Sequence, residues 1–180
     1  MRKKTYRTAL GGVLSALAAV FMMMGGIFPF AQFCGPVMAC LCVMIFLVEC
    51  GARWAFFMYL AVTGISLLIS PDQESVMLFA MFLGWYPMLK MLLETKVRSR
   101  ALQIILKLLA LDVCVGAAYW ILLKLLAVPA LLEEFSGYSG IMLAVLVIMG
   151  NVTFILVDIC LSRIAVLYLY RFREKLVRDR

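Results

Sequence analysis

The stretch "TALGGVLSALAAV", Thr8 to Val20, follows directly on the basic run "MRKKTYR", Met1 to Arg7, and its reading decides the fold. A basic start followed by an apolar run suits a secretory leader, a membrane anchor or the first helix of a bundle. Length separates them. The apolar run continues to about Phe28, which matches the roughly 20 residues needed to cross the hydrocarbon core. A leader has a shorter apolar core and a small-residue cleavage site before soluble sequence. Spacing adds a second feature. Gly11, Ser15 and Ala19 recur every four residues, as do Gly12 and Ala16, so they form adjoining stripes on a helix. Close approach of helices in lipid depends on small side chains. The stretch therefore predicts an uncleaved first transmembrane helix shaped to meet another helix. That helix belongs either to its own bundle or to a partner, and periodicity leaves both open.

The rest of the chain supports the membrane reading. Of its 180 residues, 66% are hydrophobic, against about 45–50% in soluble domains, and the mean hydropathy is +1.07. The predicted fold class is all-α, a single polytopic domain with six spans at about 8–28, 36–49, 54–70, 76–93, 103–128 and 141–168. "IFPFAQFCGP" is expected to break the chain at Pro29, Gly35 and Pro36. The second span is then short, and therefore tilted or packed inside. "ECGAR", Glu49 to Arg53, predicts a tight turn, and "PDQES", Pro71 to Ser75, a polar loop with a helix-start pattern. "ETKVRSR", Glu94 to Arg100, is a charged loop.

Six spans place both termini on one side. Counting Lys and Arg with that side as the cytoplasm puts 16 of the 17 inside, Lys90 and Lys107 among them, and leaves only Lys124 outside. This follows the positive-inside rule. It accounts for the net charge of +7 without nucleic acid, as a basic collar that also meets anionic lipid headgroups. The opposite side carries Asp72, Glu74, Glu133 and Glu134.

Composition narrows the chemistry. Histidine is absent, which removes Ser-His triads and the histidine-dependent zinc motifs. The six cysteines form no CxxC pair, so no metal or structural disulfide is expected. There is no phosphate-binding GxxxxGK[ST] run, and "SGYSG" is not a GxSxG elbow. Neither an enzyme nor a bound cofactor is expected. What stands out is polar residues at depth, since an ionisable group near the bilayer centre costs about 2.5–3.5 kcal/mol on insertion scales unless paired. Asp112 lies near the middle of the fifth span, and Asn151 and Asp158 share one face of the sixth. Asp112 is five residues after Lys107, and Arg163 five after Asp158, off register for pairing within a helix but reachable by snorkelling. Trp120 and Tyr138 suit an interfacial aromatic belt, and Trp85-Tyr86-Pro87 a kinked segment. The carboxylates of "PDQES" suit a solvated loop or a helix start.

The chain as a whole resembles a substrate-binding S-component of an energy-coupling factor (ECF) vitamin transporter. The resemblance rests on length, six spans, the basic N-terminus, "GGVLSALAA", the break "FPF" and the hairpin "GPVMACLCVMIFLVECGARWAFFMYLAVTGISLL". In that family an Ala-xxx-Ala type motif on the first helix contacts the shared transmembrane coupling subunit, which works with two ATPases. The resemblance thus implies a docking role for Gly11, Gly12, Ser15, Ala16 and Ala19, though the motif does not match letter for letter. It also implies a substrate cavity near the extracellular face. Here the lining would come from Gln32, Phe33, Asp72, Gln73, Glu74, Trp85, Tyr86, Tyr119, Trp120, Lys124 and Asn151. Aromatic rings would stack on a planar ligand and polar groups would orient it. The family implies a bacterial cell membrane with both termini cytoplasmic. A non-transport membrane scaffold, similar in size and span number to the cell-shape protein MreD, is the competing expectation.

Overall fold

Gly51 adopts φ 88°, a left-handed conformation that glycine enters at little steric cost. It turns α2 (Ala31–Cys50) directly into α3 (Ala52–Ile69), the tight turn expected at "ECGAR". The computed structural model describes residues 2–24, 31–124 and 140–168. The expected break at Pro29, the loop "PALLEEFSGYSG" with Tyr138, and the basic tail beyond Tyr168 lie outside the described residues, as do the side chains of Gln32 and Lys124.

The remaining elements are α1 (Arg2–Met24), α4 (Gln73–Leu78), a π-helical turn (Phe79–Leu83), α5 (Tyr86–Lys96), α6 (Arg100–Lys124) and α7 (Gly140–Tyr168). With α4, the π-turn and α5 taken as one span, six segments among the described residues are long and apolar enough to cross a membrane. The protein is all-helical, as its hydropathy predicts. One boundary differs from expectation. Pro36 does not end a helix but sits inside α2, where the missing N–H forfeits only the bond to the Gln32 carbonyl near the helix start. The second span is therefore a full 20-residue helix, not a short one.

The helices define two ends. Tyr168, closing α7, donates a hydrogen bond to Glu49 near the end of α2 (3.3 Å), marking the terminal end. Ser70, closing α3, donates to the Met22 carbonyl near the end of α1 (3.3 Å), marking the loop end. Helix α1 packs chiefly on α2 and α3. Its Leu14, Ala18 and Met22 face Val43, Phe46, Leu47, Met58 and Val62 in one core. A second core joins Cys40 of α2, Phe82, Tyr86 of α5, and Phe154 and Leu161 of α7.

The fourth span is broken by design of its sequence. The Gly84 N–H reaches back five residues to the Phe79 carbonyl (2.7 Å), so Ala80 loses its usual helical donor. In lipid such a carbonyl needs an internal partner. Tyr59 of α3 supplies one, its hydroxyl donating to the Ala80 carbonyl (2.6 Å). The Trp85 indole N–H caps the Met81 carbonyl (2.7 Å). Gly84 is required here: a Cβ at that position would lie 2.3 Å from the Tyr59 ring and 2.9 Å from the Phe79 carbonyl oxygen.

Candidate functional site

Among the described residues, polar side chains pair across the spans at two levels, one toward the terminal end and one from mid-span to the loop end. Toward the terminal end, Asp158 of α7 is gripped by two lysines. Lys90 of α5 bonds the Asp158 carboxylate, the Asp158 carbonyl (3.0 Å) and the Ser162 hydroxyl (2.6 Å). Lys107 of α6 bridges the other Asp158 oxygen (3.1 Å) and Glu94 (3.0 Å). The Tyr86 hydroxyl donates to the same Asp158 oxygen as Lys90. Both lysines are buried, at 3% and 4% exposure, while Glu94 is exposed. Two ammonium groups face two carboxylates, so the formal charge of this grouping closes to zero. Buried charge is tolerated on that condition. Phe82 and Tyr86 each meet Phe154 edge to face and meet each other tilted at 37°, with ring centroids 5.1–5.2 Å apart.

Spacing along each helix did not reveal these pairs. Asp158 is held across helices by Lys90 and Lys107, not along its helix by Arg163, and Asp112 is paired to Asn151, not to Lys107. Lys90 and Lys107 belong to the bundle interior, not to the basic collar. The signal was present. Lys90 sits in "YPMLKMLL" with Glu94 one turn on, and a lysine inside an apolar run requires an acid from a neighbouring helix.

From mid-span to the loop end, polar residues of α4, α6 and α7 pair across helices. The Tyr119 hydroxyl of α6 donates to Glu74 of α4. The Asn151 amide of α7 donates to Asp112 of α6 (3.0 Å). Asp72 is the N-cap of α4: its Oδ1 accepts from the Glu74 N–H (3.1 Å) and the Ser75 N–H (3.5 Å) and its Oδ2 from the Ser75 hydroxyl, so both oxygens are committed to the helix start. Gln73 opens α4, half-buried beside Asp72. Phe33 and Trp120 are exposed.

Among the lining residues implied by the resemblance, the structure thus brings Glu74 to Tyr119 and sets Asn151 on Asp112. It does not bring Trp85 and Tyr86 to them: Trp85 caps the π-turn, and Tyr86 is buried against Asp158. The docking stripes also separate. A Cβ on Gly11 would lie 3.1 Å from the Phe46 ring, and Ser15 and Ala19 are half-buried, so that line packs toward the bundle. Gly12 and Ala16 are exposed, and a Cβ on Gly12 would meet nothing within 4 Å.

A shallow apolar cleft lined by Leu41, Met44, Val48, Ile164 and Tyr168 separates α2 from α7 at the terminal end, away from the loop-end pairs. No family model, curated protein or solved structure matches the chain.

Proposed function

We propose that the chain is the membrane-embedded substrate-capture subunit of an ECF-type importer, taking a vitamin or similar small molecule at the loop end and delivering it through a coupling subunit and two ATPases. One observation carries the reading: polar side chains of the fourth, fifth and sixth spans pair across helices, Glu74 with Tyr119 toward the loop end and Asp112 with Asn151 at mid-span. A capture site needs a few convergent polar groups in apolar surroundings. The exposed Gly12 and Ala16 support the partner half of the reading, since they leave small side chains on the outer face of α1. In this proposal the membrane is the bacterial cell membrane, with the terminal end cytoplasmic.

The test is a thermal-stability screen of the purified full chain against vitamins and nucleobases. A ligand bound only by the folded state raises the melting temperature with concentration. The reading expects at least one such compound and overturns if the whole panel leaves the melting temperature unchanged. The scaffold reading draws on the closed bundle interior, filled by Met22, Phe46, Phe82 and Phe154. It predicts an unresponsive panel together with co-purification of other membrane proteins.

A further inference from the structure

Among the described residues, the deep charges of the spans are balanced with one exception. Lys90 and Lys107 are matched by Asp158 and Glu94. Asp112 is not matched: among the described residues it has a neutral amide as partner and no ion pair. It lies twelve residues from both Arg100 and Lys124, the ends of α6, hence about 18 Å from each and at mid-span. Its side chain is exposed from the bundle surface. A carboxylate at this depth is costly on any insertion scale, and one neutral hydrogen bond does not supply the missing charge.

The surroundings on the loop side of Asp112 are open. On α7 the face that carries Asn151, Phe154, Asp158 and Leu161 packs into the bundle below Asn151. Above it, the same face continues through Val147, Ile148 and Ala144, all exposed. On α6 the stripe of Asp112 continues through Gly116 to Tyr119, and a Cβ on Gly116 would meet nothing within 4 Å. The Asn151 Nδ2 fixes the Asp112 carboxylate, while its Oδ1 is buried without a hydrogen-bond partner among the described residues. Among the described residues the loop end carries the carboxylates of Asp72 and Glu74, a field that favours cations over anions.

Resting on the capture reading above, we propose that the ligand is a small organic cation bearing N–H donors, of the ammonium or amidinium class, with Asp112 as its counter-charge and Asn151 orienting the carboxylate. The cation supplies the charge that the bundle supplies to Asp158 through lysines.

An isosteric charge series tests this on the full chain in detergent. Benzamidine, benzamide and benzoate share one shape and differ in charge. Benzamidine is expected to bind about ten-fold or more tightly than benzamide, with benzoate weakest, as expected when a charge pair is formed away from water. Asp112→Asn is expected to abolish the preference, and Asp112→Glu to keep part of it. Equal binding of benzamidine and benzamide, a preference for benzoate, or no binding of benzamidine to the wild type overturns the proposal. The wild-type series alone decides this if Asp112→Asn does not fold. The two readings fail separately. An anionic vitamin that stabilises the chain regardless of Asp112→Asn keeps capture and removes the cation. A cation preference without any coupling subunit or vitamin-like ligand does the reverse.

Discussion

At the scale of single residues, two glycines set how closely helices approach. Gly84 lets the Tyr59 ring reach the π-turn and satisfy the Ala80 carbonyl. Gly84→Ala places a methyl group where the ring lies, and overpacking of this kind costs about 1–3 kcal/mol. A lowered melting temperature of the purified variant checks it. Gly11 and Ala16 lie one and a half turns apart on α1 but meet different surroundings. Gly11→Leu drives into Phe46, 3.1 Å from the built Cβ, and should destabilise the protein. Ala16→Leu, on the exposed face, should change stability by no more than about 0.5 kcal/mol while abolishing association with a coupling subunit. Loss of ligand binding in Ala16→Leu, with association intact, contradicts the docking role. The small-residue spacing was legible in the sequence; which stripe faces inward was not, because that depends on where Phe46 of another helix projects. Pro36 was misread for a related reason. A proline marks a helix break only in the interior of the hydrogen-bond ladder, and here it falls near the helix start.

At the scale of elements, α7 is held mainly by its lower half. Phe154 and Leu161 are its buried apolar residues, and Asp158 is its polar anchor to α5 and α6. Asp158→Asn leaves Lys90 and Lys107 buried with only the exposed Glu94 as counter-ion. Breaking a buried pair in this way costs about 3–5 kcal/mol, and a melting temperature far below that of Glu94→Gln is the expected outcome. Equal melting temperatures would show that the lysines find water instead. The existence of these helices was legible from hydropathy alone, and so were the acids at depth. Their partners were not. Pairing along one helix can be counted from spacing, whereas pairing across helices requires knowing which faces meet, and no residue count between Lys90 and Asp158 supplies that.

At the scale of the whole molecule, charge and polarity are divided between two ends. Among the described residues the terminal end carries Arg7, Arg53, Lys96, Arg98 and Arg100, and the loop end carries Asp72 and Glu74. The positive-inside rule then predicts the orientation. In a background without other reactive cysteines, Ser99→Cys should react with a membrane-impermeant thiol reagent only after permeabilisation, and Gln73→Cys in intact cells. The reverse pattern would turn the protein over and place the acidic end in the cytoplasm. The six-span architecture was legible because apolar runs near the length of the hydrocarbon core alternate with charged or turn-rich breaks. The loop-end pairs became visible only once α4, α6 and α7 were set side by side, since Glu74 and Tyr119 are distant in sequence. The capture function is the claim on which the rest depends. Native mass spectrometry of the intact chain, released from detergent after purification from its own membranes, tests it most directly. The account predicts a species heavier than the 20.2 kDa polypeptide by one small molecule, lost on Asp112→Asn. A spectrum showing only the bare chain, unchanged by added vitamins or organic cations, would contradict it.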